Sequence, residues 1–338
     1  MGVRGMHGES GTPRHLAAAG LGYRPALDAI RALAIILVML GHSDIGFGGT
    51  IGVTVFFVLS GFLITTLLLE EQHIDLRAFY RRRIARLAPM SVVVSGVVLI
   101  GALATHDHPS AVGAVATLTY SSDLLAPAGV NLGLMPHAWS LSLEEQFYLV
   151  WPVLLMVLWS RFGRRVSVLL LAVIAVAVVG KLLIPPAHPA EYNPLLRMDG
   201  LAFGCLLAMF PVRVRSVYAL FAGVVLGIVS LAPLGIPTIG LAITVATLAS
   251  GALVLWASRQ TWAPASLVYI GKVSYSLYLW HYPVFWTVGL GPLAWIASVL
   301  AAAVSFRFIE APMRARLRQD RTRPYIPRLK DVEVVSVP

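Results

Sequence analysis

An arginine and a histidine stand eleven residues apart in the apolar run LDAIRALAIILVMLGH, residues 27–42. Read as a helix rising 1.5 Å per residue, the run separates Arg31 from His42 by about 16 Å along the axis and turns both to nearly the same face. Ionisable groups are costly in hydrocarbon and normally face a bundle interior or a watery cavity. One side of this helix then carries a fixed positive charge at one depth and a titratable imidazole at another. An imidazole so placed can take a proton from a hydroxyl. The plain alternative is that Arg31 pairs with Asp28 while His42 ends the helix at an interface.

Four further segments hold groups of the same kind. In FYRRRIARLAP, 79–89, Arg82, Arg83 and Arg86 lie within about one helical turn, beside Phe79 and Tyr80. Guanidinium forks match phosphate oxygens and aromatics can stack on a base, so a phosphate-rich ligand fits. A topology signal alone would also explain the arginines. In MPHAWSLSLEEQFYLVWP, 135–152, Trp139 and Ser140 precede an expected helix whose first turn carries Glu144 and Glu145. Acids are favoured there by the helix dipole. Glu144 is nevertheless expected at the depth of His42, where a carboxylate beside an imidazole equips a general base. In IGKVSYSLYLWHYPVFW, 270–286, Tyr275, Tyr278 and His281 recur every three residues with Trp280 adjoining, as a cavity lining would. Asp199, in LLRMDGLAFGCLLA, begins another run, either as a cap or as one more carboxylate facing an acceptor. Ser60-Gly61, inside 51–71, reads as a site of close helix approach. His106, His108 and His137 match no metal-ligand spacing, so no metal site is expected.

The elements that must position these groups are membrane spans. Of 338 residues 58% are hydrophobic and 12% charged, and the mean hydropathy is +0.79. That composition belongs to a polytopic membrane protein. Ten spans are expected, near 27–42, 51–69, 88–105, 144–160, 166–184, 197–211, 216–232, 237–257, 273–290 and 292–309. Arginine and lysine crowd alternate connections, while 43–50 and 106–143 contain none. The asymmetry places both termini in the cytoplasm. Lys181 and Arg197 are the exceptions near an outer end. The net charge of +10 is explained by these loops, so nucleic acid is not an expected partner. Residues 1–23 and 314–338 read as disordered cytoplasmic tails, without a cleavable signal peptide. The one cysteine, Cys205, lies in an apolar run and founds neither a disulfide framework nor a metal site.

Taken in order, LDAIRALAIILVMLGH, GVTVFFVLSGFLIT, FYRRRIARLAP, WSLSLEEQFYLVWP, RMDGLAFG, SYSLYLWHYPVF and FIEAPMR, spread over about residues 24–313, resemble the acyltransferase 3 family of integral membrane acyltransferases. The resemblance implies an all-α bundle of ten membrane helices in the bacterial cytoplasmic membrane. It implies transfer of an acyl group, usually acetyl, from cytoplasmic acyl-CoA as co-substrate, with no tightly bound cofactor. The acceptor would be a hydroxyl on an envelope glycan, a glycolipid or a secreted natural product. The resemblance carries the catalytic histidine to His42, its partner arginine to Arg31, the cytoplasmic Arg-x-x-Arg pair to Arg83 and Arg86, and the essential glutamate to Glu144. Glu145 stands where a neutral residue is more usual. Some members carry a further soluble esterase-like domain after the membrane part; 25 residues follow Met313 here. Direct attack by the acceptor and a transient acyl-His42 are both compatible with these residues.

Two rival classes make different demands. A transporter or lipid flippase would also place charges within the membrane, but it predicts repeats with broken spans at matching places, and none is evident. A membrane scaffold leaves the paired His42 and Glu144 without work.

Overall fold

Apolar chain in hydrocarbon must satisfy its backbone internally, which leaves helices as the available solution for runs of this composition. In a computed structural model, residues 22–43, 48–70, 75–183, 193–232 and 239–319 are described, and among them there is no strand. The long helices are α1 Pro25–His42, α2 Gly48–Glu70 and α3 Leu76–Thr105. After the short α4 His108–Leu118 and α5 Ser122–Leu125 come α6 Trp139–Phe162 and α7 Val166–Leu183. Then follow α8 Pro194–Met209, α9 Ser216–Leu231, α10 Ile239–Ala257, α11 Ala265–Val288, α12 Pro292–Ser305 and α13 Ala311–Gln319.

Each expected span overlaps one of these helices, but α3 starts at Leu76 and not near 88, and α11 at Ala265 and not near 273. Among the described residues six helical stretches are long and apolar enough to cross a membrane, and one of them, Pro136–Leu183, runs through both α6 and α7. The protein is therefore an all-helical integral membrane protein with six candidate spans by length and composition.

Local chemistry sets the helix ends. Pro25 occupies the first turn of α1, where its missing N–H is not needed. Asp75 caps α3, accepting from the Ala78 amide at 2.9 Å. Asn193, rather than Asp199, caps α8, accepting from the Leu195 and Leu196 amides. Between α12 and α13 the chain adopts a π turn, Phe306–Glu310, that turns Glu310 inward. The helix then continues to Gln319, so Arg314 belongs to the folded bundle and not to a tail beginning there. Residues 1–21 and 320–338, the rest of the expected tails, lie outside the described residues.

Small residues decide which helices touch. A Cβ on Gly61 would collide with the carbonyl of Leu201, which brings α2 against α8 as the Ser60-Gly61 pair foretold. Gly271 meets the backbone of Asp28 in the same way and seats α11 on α1. These contacts also give direction. Asp28 lies at Gly271 and His42 at His281, so α1 and α11 run parallel. Gly49 lies at His42 and Gly52 at Val38, so α2 runs antiparallel to α1. The three helices form a common frame with an Arg31 end and a His42 end.

Candidate active site

At the Arg31 end a vestibule of about 590 Å³ is lined by Tyr23, Asp28, Arg31, Arg82, Arg86, Lys272 and Arg314, with Gly271, Phe306 and Ala311 between them. Arg31 pairs with Asp28 at 2.7 Å, as the plain alternative required, and still faces this space. Arg314 is held by the carboxylate of Glu310, whose other oxygen accepts from Ser276 at 2.7 Å. Lys272 lies 5.6 Å from the Tyr23 ring centroid. Arg86 makes no hydrogen bond or ion pair with any described residue, and its Nε is buried without a partner. Five cationic side chains, Arg31, Arg82, Arg86, Lys272 and Arg314, and one carboxylate, Asp28, line this space, so its potential is positive.

Arg31 and Arg86 also line a narrow chamber of about 70 Å³ further in, with Ser60, Arg83, Ser140, Glu144, Glu145, Tyr148, Ser274, Tyr275 and Tyr278. Here Arg83 meets side chains of α6. Its guanidinium stacks on the Tyr148 ring at 3.2 Å and lies 3.8 and 3.7 Å from the carboxylates of Glu144 and Glu145. Helical geometry explains this placement. Arg82 and Arg86, four residues apart, share a face, whereas Arg83 is turned by about 100° from Arg82, towards α6. Arg82 and Arg86 therefore face the vestibule, and Arg83 is taken up inside.

Glu144 is fixed from three sides, accepting from the hydroxyls of Ser60 and Tyr148 beside Arg83. It is not at the depth of His42. On α2, Gly49 is level with His42 and Ser60 is level with Glu144. Those eleven residues correspond to about 16 Å. The misplacement begins at the start of α6. A 3-10 turn, Pro136–Ala138, leads into a helix that starts at Trp139, so the glutamates lie in its second turn, not its first. Their polarity serves an internal cavity and not a helix end.

The partner of His42 is instead His281, with Nδ1 of His42 3.0 Å from Nε2 of His281. Around the pair stand Tyr282, 5.1 Å from His42 between ring centroids, and His137, 5.0 Å from His281. Tyr278 joins this group to the chamber. Its hydroxyl donates to the His137 carbonyl at 2.6 Å and therefore accepts from Ser140 Oγ, also at 2.6 Å. The Tyr278 and His281 ring centroids are 5.6 Å apart.

The remaining expected contacts separate by function. Tyr275 lines the chamber and donates to the Leu87 carbonyl at 2.9 Å. Trp280 turns the other way and donates from Nε1 to Ser305 Oγ at 2.9 Å. Trp139 packs edge-on against Phe57 with the Arg197 guanidinium 5.7 Å from its ring. Asp199 is buried in an ion pair with Lys181, the two side chains 2% and 3% exposed. Arg197 donates to Thr54 Oγ1 at 3.0 Å and is 1% exposed. The two cations that broke the loop-charge pattern are thus interior groups.

Sequence reasoning gave Ser60 only a packing role and placed none of Tyr148, Lys272, Arg314 and His137 at the site. The signals were present: a hydroxyl in mid-span, a tyrosine four residues after Glu144, and basic residues bordering the ninth and tenth spans.

A family model described as an acyltransferase domain, Acyl_transf_3, matches residues 24–308. The chain is 30% identical to an O-acetyltransferase, OatA, of Staphylococcus aureus over 87% of its length and 58% of the relative's. It is 31% identical to the peptidoglycan O-acetyltransferase OatA of Listeria monocytogenes, over 86% of the chain and 56% of the relative. It is 29% identical to the putative peptidoglycan O-acetyltransferase YrhL of Bacillus subtilis, over 93% and 59%. The chain thus spans less than three fifths of the length of these curated relatives. No solved structure matches significantly.

Proposed function

The chain belongs to the acyltransferase 3 family, and from that premise we propose that it moves an acetyl group from acyl-CoA to a hydroxyl of an envelope glycan, across a bundle of ten helices. The observation that carries this reading is the line of groups along α1: a basic vestibule, a chamber beside Arg31, and an imidazole about 16 Å further on. The vestibule cations suit the phosphates of CoA. The chamber would admit the pantetheine arm, which points the thioester towards His42. The arginine-bearing connections then face the cytoplasm, where the donor is found, and the membrane is the bacterial cytoplasmic membrane.

His42 would act as base on the acceptor hydroxyl. The relatives are named O-acetyltransferases, which supports acetyl as the acyl group, and the Listeria name supports peptidoglycan among the envelope acceptors. Glu144 serves a different purpose from a partner to His42. With Arg83, Tyr148 and Ser60 it forms a charge-balanced wall that keeps the chamber polar and in shape. Ser140 and Tyr278 close the chamber towards the histidines and are the groups the acyl arm must pass.

Mass spectrometry of envelope glycans from cells with and without the protein tests the reading. Acetyl esters that depend on the protein are expected, and identical glycans would reject a glycan acceptor. The geometry also divides the arginine pair. Arg86→Ala should weaken acetyl-CoA binding about ten- to a hundredfold, the worth of a lost charge-assisted contact. Arg83→Ala should affect turnover and stability more than donor affinity. Calorimetry giving equal losses of affinity for the two variants would contradict this division.

A further inference from the structure

The hydrogen bonds of His281 fix where the proton sits on His42. Nδ1 of His281 lies 2.7 Å from the Tyr278 carbonyl oxygen and 3.2 Å from that of Leu277. A carbonyl only accepts, so this nitrogen carries a hydrogen. The ring is fully buried. The polar side chains facing it are His42, His137, Tyr278 and Tyr282, with no carboxylate among them to hold an imidazolium. A neutral ring protonated on Nδ1 has its lone pair on Nε2. That lone pair is 3.0 Å from Nδ1 of His42, so His42 must donate from Nδ1. Its own lone pair is then on Nε2. Nε2 faces the start of α2 at Gly49, where even a Cβ would stand 3.7 Å away. The residue beside the nitrogen is thus one without a side chain to cover it.

We propose that His281 is the positioning residue of the reaction: it holds His42 in the Nδ1–H tautomer and aims a bare Nε2 at the acceptor hydroxyl. The proposal rests on the transfer reaction given above. In that step Nε2 of His42 takes the hydroxyl proton, and the oxygen forms a bond to the acyl carbon. The carbon–sulfur bond breaks, its electron pair leaves with the CoA sulfur, and the proton passes from the imidazolium to that thiolate. His281 stays bonded to Nδ1–H throughout and keeps the ring in line. A carboxylate orients the base in hydrolytic triads. A second imidazole with a backbone-fixed tautomer supplies the same direction here without a charge.

The test is nitrogen NMR of the full-length protein labelled with ¹⁵N-histidine in lipid nanodiscs, with the His42 signals identified by their loss in His42→Asn. The expected spectrum shows His42 protonated on Nδ1 and bare on Nε2. It should persist in His281→Gln, whose amide oxygen can accept the same hydrogen, and change to the Nε2–H form in His281→Leu. In turnover, His281→Leu should lose about a hundredfold in kcat with acetyl-CoA affinity unchanged, as for loss of a general base's contribution. His281→Gln should stay within about tenfold of wild type. A wild-type His42 protonated on Nε2 overturns the proposal, as would equal turnover of the Leu and Gln variants. If His281→Leu does not fold, the wild-type and Gln spectra decide. The spectrum needs no substrate, so the expected tautomer in a protein that transfers no acetyl group would count against the proposed reaction and not against the assignment of the proton.

Discussion

His42→Ala is expected to lower acetyl transfer by about 10²–10⁴-fold, the usual worth of a positioned general base, while leaving acetyl-CoA bound. The vestibule that would hold the donor's phosphates is built from Arg31, Arg86, Lys272 and Arg314, none of which touches His42. The imidazole is partly exposed and contributes one hydrogen bond and two ring contacts. Its loss should therefore spare the fold. Turnover and donor affinity measured on the same monodisperse preparation separate these effects. Turnover at the wild-type rate would remove His42 from the chemistry. A parallel loss of donor binding would mean that the donor site extends to the histidines.

Asp199→Ala is expected to be the most damaging single change to stability. It strands the Lys181 ammonium, whose side chain is 3% exposed. Removing one member of a buried ion pair typically costs about 3–5 kcal/mol, because the other charge is left without compensation. Replacing both, as Lys181→Met with Asp199→Leu, should recover most of the loss, since a well-packed apolar pair is often as stable as the ions it replaces. Thermal unfolding of the three variants in one detergent reads this directly. An Asp199→Ala protein with wild-type stability but no activity would return Asp199 to the acceptor site, the role its position in the sequence had invited.

The helices were legible because lipid permits so few solutions. Every apolar run of sufficient length became a helix, and Gly61 marked the contact of α2 with α8. The chemistry-bearing residues were legible by type but less so by depth. The polar run from Trp139 to Glu145 lowers local hydropathy, which moved the apparent start of α6 to Glu144. In the structure those same residues are helical and face a cavity. Polarity inside a bundle and polarity at a membrane surface look alike in sequence. The different fates of Arg82, Arg83 and Arg86 were available from 100° per residue, once α3 was seen to begin at Leu76 and not at 88. The His42–His281 bond was not available. The two residues are 239 positions apart, and only the parallel packing of α1 on α11 brings them level.

The central claim is that the donor enters at the arginine vestibule and the acyl group is delivered at the His42 end. Proteoliposomes with a soluble peptidoglycan fragment sealed inside and labelled acetyl-CoA outside test it most directly, provided the orientation of the protein is fixed by selective proteolysis of one face. Labelled ester should form inside the vesicles when the vestibule faces outward and should be absent when it faces inward. Label appearing only when donor and acceptor share one side of the membrane would contradict the account.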